Sequence, residues 1–334
     1  MTNTDRFSAV LNFRPVDRLP VVEWAAWWGD TVNAWLSQGL THEVPYDKLQ
    51  TYFGLDCMRR VWMPLTSASC PRPQSHGAPL IYDEDDYENF KKYLYPTSGD
   101  PAYDRKLSML KGLKAEHDSG DTVVWFSYDG FFWFPRVLLG IENHLYSFYD
   151  YPELYHRICT DACDYMISQL DTVFDVLQPE FFVISEDMSY NNGPMISEAL
   201  FDEFLLPYYE RLIPELHRRG CKVVIDTDGD VTMMIPWLMR AGIDGVLPLE
   251  RQAGVDICAL RDKYPDFLFI GGYDKMVMTR GEADMRAEFE RLLPAMRKGG
   301  FIPSVDHQTP PGVSLENYLI YVRLLKEYTE KATK

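Results

Sequence analysis

The segment Cys221-Lys-Val-Val-Ile-Asp-Thr-Asp-Gly-Asp230 joins an apolar run to three aspartates on alternate residues, and helix-like sequence follows it. Such a run is typical of a buried β-strand. Because strand side chains alternate between two faces, Asp226 and Asp228 point to the same side. Their charges repel one another unless water, hydrogen bonds or a cation offsets them. The segment therefore indicates a metal site or a proton-handling site, with a solvated turn and Asp230 as a helix cap as the alternative.

Four further segments repeat this design, in which an apolar run ends in charged residues. The runs end at Glu186 and Asp187, at Glu250, at Asp274 and Lys275, and at Asp306 and His307. Between the runs lie stretches of helical period, over residues 197–219, 231–241, 255–264, 282–298 and 315–331. Short buried strands that alternate with amphipathic helices predict repeated βα units and a parallel sheet. Because a (β/α)8 TIM barrel builds its active site at the C-terminal ends of its strands, the charged ends predict that fold and that face.

The bulk composition limits the classes of partner. The 334 residues contain no Pro/Ser/Gly-rich linker and no repeat, so we expect a single barrel domain over residues 1–334 with an N-terminal extension. The net charge of −17 argues against a nucleic-acid partner, because phosphate binding needs a basic face. No signal peptide or membrane-spanning run is present, and the six cysteines lack a CxxC motif, so we expect a cytoplasmic protein with no membrane partner. A homodimer stays open.

Aromatic residues make up 14% of the chain and are concentrated around residues 23–28 and 125–134. The second stretch contains Gly130 and predicts a strand that leads into an aromatic loop at the barrel mouth. Such a loop would form an apolar wall for a flat ligand, with core packing as the alternative. The resulting candidates for substrate binding are Trp24, Trp125, Tyr128 and Phe132. Glu23, at the end of the first predicted strand, is a candidate acid/base residue.

Five motifs occur in order along nearly the whole chain: Arg14–Pro20, Glu186–Ser197, Phe201–Pro207, Gly271–Lys275 and Pro310–Asn317. Together they resemble the uroporphyrinogen decarboxylase superfamily, and the resemblance implies a (β/α)8 barrel. That superfamily contains true decarboxylases and corrinoid-dependent methyltransferases. In the family the stretch around Tyr273 and Lys275 forms a turn at the top of the barrel. Both residues are therefore candidates for contact with substrate or corrinoid, and pairing of Lys275 with Asp274 is the alternative.

The decarboxylase branch fits the N-terminal region poorly. Its members hold a substrate with eight carboxylates through an arginine-rich N-terminal signature. The corresponding residues 21–30 contain no arginine and two acids. A pocket for carboxylates that lacks bidentate arginine donors loses its main source of affinity.

The methyltransferase branch fits better, with an altered set of metal ligands. Its members bind zinc through a His-x-Cys-Gly motif and a late cysteine. Asp226-Thr-Asp228-Gly229 stands at the first position, and His307 lies near the second. Glu186 stands where the family has an additional carboxylate, so it is a candidate ligand and acid/base residue. The resemblance implies a metal held by Glu186, Asp226, Asp228 and His307, either zinc or another divalent transition metal.

These observations lead to one functional hypothesis and two rivals. The hypothesis is a methyltransferase that resembles the methyltransferase component of O-demethylases and moves a methyl group from a small methylated substrate, such as a methoxylated aromatic, to the cobalt of a corrinoid. A metal would polarise the ether oxygen. A separate corrinoid protein is expected as the partner, because the chain has no DxHxxG motif. The rivals are a decarboxylase-like lyase and a ligand-binding homologue without catalysis.

Overall fold

A curled parallel sheet forms the centre of the molecule. The computed structural model describes residues 1–334. Its strands are β1 (Cys57–Trp62), β2 (Thr122–Asp129), β3 (Phe181–Ser185), β4 (Ser189–Tyr190), β5 (Gly193–Pro194), β6 (Lys222–Asp226), β7 (Gly245–Leu247), β8 (Leu268–Tyr273) and β9 (Phe301–Val305). Seven of them form one parallel sheet in the order β1-β2-β3-β6-β7-β8-β9, and β4 and β5 form a separate hairpin. The predicted (β/α)8 barrel is therefore confirmed.

The eighth position of the barrel is taken by residues 19–24, which run between β9 and β1 without forming a regular strand. On one side, Asp56 donates its backbone N–H to Val21 O at 2.8 Å, and Val21 N donates to Asp56 Oδ2 at 2.9 Å. On the other side, Trp24 N donates to the side chain of Ser304 at 3.3 Å. We call this junction the seam. Many of the hydrogen bonds across the seam involve side chains, whereas neighbouring strands elsewhere in the sheet are joined by backbone hydrogen bonds.

Helices cover the outside of the sheet. They are α1 (Asn3–Leu11), α2 (Gly29–Ser37), α3 (Leu49–Tyr52), α4 (Glu84–Phe90), α5 (Pro101–Asp118), α6 (Trp133–Leu139), α7 (Ile141–Asp150), α8 (Pro152–Phe174), α9 (Glu198–Phe204), α10 (Leu206–Arg218), α11 (Ile235–Arg240), α12 (Ile257–Lys263), α13 (Glu282–Met296) and α14 (Leu315–Lys331). None of these helices has both the length and the apolar composition needed to cross a membrane.

Two predicted helices differ from those observed, and proline explains both differences. The stretch 197–219 is divided into α9 and α10 at Leu205, because Pro207 has no N–H to donate to the carbonyl of residue 203 and lies instead in the first turn of a new helix. The stretch 231–241 becomes helical only from Ile235, so that Pro236 occupies the first turn, where it needs no hydrogen-bond donor. In both places the apolar periodicity of the sequence continues past the residue at which the helix begins or ends.

An aromatic stack closes the N-terminal end of the barrel. Helix α1 lies against the start of β2, where Asn3 N donates to Gly120 O at 2.9 Å. The ring of Phe7 stacks on Phe181 at 5.6 Å, and Phe181 in turn stacks on Trp125 at 5.2 Å. The buried apolar side chains form one continuous cluster. With this end filled, the open space of the barrel lies at the opposite, C-terminal face.

Candidate functional site

A cavity of about 530 Å³ opens at the C-terminal ends of the strands. Its lining combines polar and aromatic residues. The polar residues include Asp187, Asp226, Asp228 and His307, and the aromatic residues, which we call the aromatic wall, are Trp24, Trp27, Trp62, Trp125 and Tyr46. The predicted face of the barrel therefore carries a cavity in which carboxylates and indole rings lie close together.

Three aspartates on the polar side form what we call the acidic cluster: Asp187, Asp226 and Asp228. One carboxylate oxygen from each lies within 4.8 Å of the others. The loops are tied together, because the backbone N–H groups of both Glu186 and Asp187 donate to Asp226 O, at 2.8 and 3.2 Å. His307 completes the group, with its Nε2 atom 3.6 Å from Asp228 Oδ2. Together, the acidic cluster and His307 place four possible metal ligands at one edge of the sheet.

The charges of the acidic cluster are poorly compensated within the chain. Burial raises the pKa of Asp226 to about 7, although Arg60 opposes the shift. Burial, followed by repulsion from Asp187, raises the pKa of Asp228 to about 8. Burial also raises the pKa of Asp187 and lowers that of His307. A divalent cation would reverse the first three shifts, because it stabilises the ionised carboxylates.

The donor set fits a divalent cation of the zinc or manganese type. Carboxylate oxygens and one imidazole nitrogen suit such ions; the three carboxylates already converge, and His307 lies beside one of them. No cysteine lines the cavity. The lowered pKa of His307 favours the neutral imidazole, which is the form that offers a lone pair to a metal.

Glu186 does not belong to this group, and its prediction as a ligand and acid/base residue was wrong. Its side chain is fully buried beside α6. Its two oxygens accept hydrogen bonds from the backbone N–H groups of Phe131, Phe132 and Trp133, at 2.8, 2.7 and 3.1 Å, and from the hydroxyl of Tyr209. A Cβ atom at Gly130 would come within 2.1 Å of the carboxylate carbon, so glycine is required there. Glu186 holds the loop after β2 in place.

Glu23 lies behind the cavity wall. It is 1% exposed, and its carboxylate accepts hydrogen bonds from Ser304 Oγ at 3.1 Å and from Tyr318 OH at 3.3 Å. Burial raises its pKa to about 8. Because the next residue, Trp24, forms the wall, Glu23 does not reach the cavity. Its predicted acid/base role therefore lacks access to a ligand, and its predicted strand end is an irregular part of the seam.

The aromatic candidates separate according to the strand face on which they lie. Trp24 and Trp125 line the cavity. Tyr128 lies three residues after Trp125 on the same strand, so its side chain projects to the opposite face. There it contacts Phe182 and Tyr165 of α8, with ring centroids 6.1 and 6.2 Å away. The prediction of Tyr128 as a substrate contact was wrong for this reason.

Phe132 and Tyr273 also pack among the helices, in contrast to their predicted role. The ring of Phe132 meets His144 of α7 at 4.5 Å. The ring of Tyr273 meets Phe289 of α13 at 4.6 Å, and its hydroxyl donates to Met285 O at 3.3 Å. Both side chains are fully buried. They stabilise the contact between sheet and helices.

Lys275 supports the cavity from outside its wall. Its ammonium group lies 3.3 Å from Asp306 and 3.4 Å from Glu250, so its ion pairs are with these residues and not with Asp274. Glu250 in turn accepts a hydrogen bond from Gly229 N at 3.0 Å, next to Asp228. Lys275 therefore helps to position the loop that carries Asp228, and it does not line the cavity as a substrate contact would.

The sequence interpretation missed several cavity residues, and two of them matter most for the chemistry of the site. Asp187 completes the acidic cluster, and Arg60 of β1 extends along the aromatic wall. The guanidinium of Arg60 lies over the rings of Trp62 and Trp125, 3.8 and 4.8 Å from their centroids. The only sequence signal for it was a pair of arginines, Arg59 and Arg60, within a short strand-like run between apolar residues.

Comparisons with known proteins identify the family. The family described as uroporphyrinogen decarboxylase (URO-D) matches residues 136–328, more than half of the chain. No curated protein matches. A Listeria monocytogenes protein, provisionally assigned as a vitamin-B12 independent methionine synthase, aligns with a TM-score of 0.49 and 10% identity over 94% of this chain and 97% of its own. A Xaa-Pro dipeptidase with bound methionine aligns with a TM-score of 0.31 and 9% identity over 83% of this chain and 73% of its own. The family match, and not these distant structures, shows that the chain belongs to the uroporphyrinogen decarboxylase family.

Proposed function

We propose that the protein is a metal-dependent methyltransferase that moves a methyl group from a small methylated substrate to the cobalt of a corrinoid carried by a separate protein. The observation that carries the proposal is that the acidic cluster and His307 line the same cavity as four tryptophans. This arrangement offers ligands for a divalent metal next to apolar surface for an organic group. A methoxylated aromatic ring is the class of substrate that this surface favours.

Each group in the cavity has a role in this proposal. Asp187, Asp226, Asp228 and His307 would hold the metal, with His307 as the neutral nitrogen donor. When bound, a divalent metal supplies Lewis-acid stabilisation of the oxygen that loses its methyl group. Trp24 and Trp125 would pack against the ring and exclude water from the polar side.

A decarboxylase-like lyase is the second candidate, and Arg60 is the observation that favours it. The arginine-free stretch 21–30 argued against binding of a carboxylate. Arg60 of β1 supplies a cation to the cavity. The lack of arginine in residues 21–30 therefore does not exclude binding of a carboxylate there. A lyase of this kind would lose CO₂ from a small acid without corrinoid, and activity that persists without metal would favour it.

Metal analysis of the purified full-length protein is the first test. We expect close to one equivalent of zinc or another divalent transition metal, and its loss in Asp228→Asn and in His307→Gln. The matched control is Asp230→Asn, because Asp230 lies two residues further on and its side chain accepts a hydrogen bond from Thr232 N at 2.9 Å. Metal retained in all variants, or absent from the folded wild type after addition of zinc, would contradict the proposal.

The second test concerns the reaction. The metal-loaded protein is incubated with a methoxylated aromatic and cob(I)alamin, and formation of methylcobalamin is followed by absorbance. We expect turnover that disappears in Asp228→Asn. Release of CO₂ from a carboxylic acid without corrinoid would favour the lyase. Ligand binding with neither reaction would indicate the non-catalytic homologue.

A further inference from the structure

Arg60 is a cation in the cavity wall that has no carboxylate within hydrogen-bonding distance. Its Nε atom donates to Ser127 Oγ at 3.0 Å, and Nη2 donates to Ser185 Oγ at 2.9 Å. The nearest carboxylate oxygen is that of Asp226, 3.9 Å from Nη2. The third nitrogen, Nη1, donates no hydrogen bond within the chain. Part of the donor capacity of this guanidinium is therefore left for a ligand.

The aromatic wall holds the Arg60 guanidinium in a defined orientation. Trp62 and Trp125 lie 3.8 and 4.8 Å from the guanidinium carbon, and the Arg60 side chain is 25% exposed. Stacking on indole rings leaves the in-plane N–H groups of arginine free. A planar guanidinium fixed in this way matches the two oxygens of a carboxylate. The wall thus presents a charged, oriented donor to the cavity.

Arg59, the neighbouring arginine, is bonded to the backbone and to Gln50, and its guanidinium does not stack on an aromatic ring. Its Nη1 atom donates to Gln50 Oε1 and to Met58 O, and its Nη2 atom donates to Asp47 O at 2.6 Å. Both arginines line the cavity, but only Arg60 combines aromatic stacking with an unused nitrogen. Arg59 is therefore a matched control with the same charge, at the adjacent position.

We propose that Arg60 binds a carboxylate on a flat ligand that packs against the tryptophans of the cavity. This inference rests on the proposed function where it names the ligand: the methyl donor is then an aromatic ether that also carries a carboxylate, and not a neutral ether. The ether oxygen faces the acidic cluster and the carboxylate faces Arg60. The site would therefore prefer an anionic methoxylated ring, whereas the tryptophans alone would accept a neutral one equally well.

The acidic cluster makes this site dependent on the metal. Without a cation, every ionised carboxylate of the acidic cluster repels an anionic ligand. A divalent cation removes that repulsion, so metal and anion should increase each other's affinity by the same factor. We expect this coupling because Arg60 and Asp226 lie 3.9 Å apart, so that an anion bound to Arg60 and a metal bound to Asp226 would share one cavity.

The test compares a charged ligand with a neutral ligand of the same shape. Quenching of tryptophan fluorescence is titrated with 4-methoxybenzoate and with 4-methoxybenzamide, with and without one equivalent of zinc. We expect the zinc-loaded wild type to prefer the benzoate by about 10-fold or more, as charge-assisted pairing implies. Arg60→Met should abolish the preference and leave the affinity for the benzamide within about 3-fold. Arg60→Lys should keep part of the preference, and Arg59→Met all of it.

Several outcomes would overturn the inference. They are equal binding of both ligands by the wild type, no binding of the benzoate with or without zinc, and a preference that survives Arg60→Met or is lost equally in Arg59→Met. Zinc content and circular dichroism verify that each variant is folded. Zinc bound without a preference for the anion would refute the inference alone. A preference for the anion in protein that binds no zinc would refute the metal-dependent function and leave the carboxylate site standing.

Discussion

Glu186 and Asp187 are adjacent acids at the end of one strand, and their surroundings are opposite. Glu186 is surrounded by three backbone N–H groups and a tyrosine hydroxyl, in a region that we call the Glu186 nest. Asp187 faces the cavity, where its carboxylate accepts one long hydrogen bond from Asp228 N at 3.5 Å. Burial raises the pKa of both carboxyls, to about 7 for Glu186. The chain supplies donors for one acid and leaves the other with two more acids as neighbours.

The difference distinguishes a structural carboxylate from a ligand-binding one. A buried acid whose oxygens are fully hydrogen-bonded belongs to the scaffold, and removing it leaves donors unsatisfied. A buried acid beside like charges costs stability and is retained where a ligand offsets the charge. Variants in the Glu186 nest and in the acidic cluster should therefore change stability in opposite directions.

Changes in the Glu186 nest should have the largest effect. Glu186→Gln places an amide group against four donors, and Gly130→Ala places a methyl group 2.1 Å from the Glu186 carboxylate carbon. We expect each to lower the free energy of unfolding by about 3 kcal/mol or more, because buried donors lose their acceptor or the loop is displaced. Urea denaturation at pH 8 measures the change. Undiminished stability of Glu186→Gln would mean that the nest does not hold the loop.

A neutral substitution in the acidic cluster should act in the opposite direction. Asp226→Asn keeps the shape of the side chain and removes one of the repelling charges. We expect the metal-free protein to become more stable by about 1 kcal/mol at pH 8, since burial opposes the ionised form. The same denaturation experiment, in the presence of a chelator, measures it. A clear loss of stability would indicate that the ion pair with Arg60 outweighs the repulsion.

The pH dependence of stability gives a third comparison. The pKa values of Asp226 and Asp228 in the folded protein, about 7 and 8, lie above those of unfolded chains. At these two carboxyls the folded state therefore binds more protons than the unfolded state, so their contribution to stability falls as the pH rises from about 4 toward 8. We expect the metal-free protein to lose on the order of 1 kcal/mol between pH 6 and 7. Thermal melts across pH measure the slope, which should be shallower in Asp226→Asn and with zinc.

The smallest effect is expected at Tyr128, on the helix side of β2. Its hydroxyl is buried and has no hydrogen-bond partner. Tyr128→Phe should leave stability unchanged or raise it by about 0.5 kcal/mol, because no hydrogen bond is lost and a buried polar group is removed. Ligand titration should also give the wild-type affinity. A weakened affinity for the aromatic ligand would return Tyr128 to the set of substrate contacts.

The barrel could be predicted from sequence because five apolar runs ended in the same kind of residue. Periodicity identifies the strands and helices, and the position of the charged ends identifies the functional face. The predicted helix 315–331 matches α14. The division of 197–219 and the late start of α11 depend on single prolines, whose effect on the backbone outweighs the continuing apolar pattern.

The direction in which individual side chains point was harder to predict. Asp226, Asp228 and His307 converge because the curled sheet brings the C-terminal ends of β6 and β9 to the same cavity, although β7 and β8 lie between these strands. Glu186 and Asp187 have the same chemistry and adjacent positions, and Asp187 adopts the left-handed backbone conformation, with φ of 43°. Periodicity contains no information about such a turn. Arg60 was missed because its role depends on tryptophans that the fold brings to it from β1 and β2.

The seam has a consequence for how a ligand could enter. Elsewhere the barrel is joined by continuous backbone ladders, whereas residues 19–24 are attached largely through Asp56, Ser304 and the indole of Trp24, which donates to Val305 O at 3.0 Å. Separation along this line would break few hydrogen bonds and leave the seven paired strands intact. Trp24 belongs to this stretch and Trp27 follows it by three residues, so part of the aromatic wall would move outward with it. We expect amide exchange to be faster at residues 19–24 than in β1 or β9, and such exchange would indicate that the barrel wall can open along the seam.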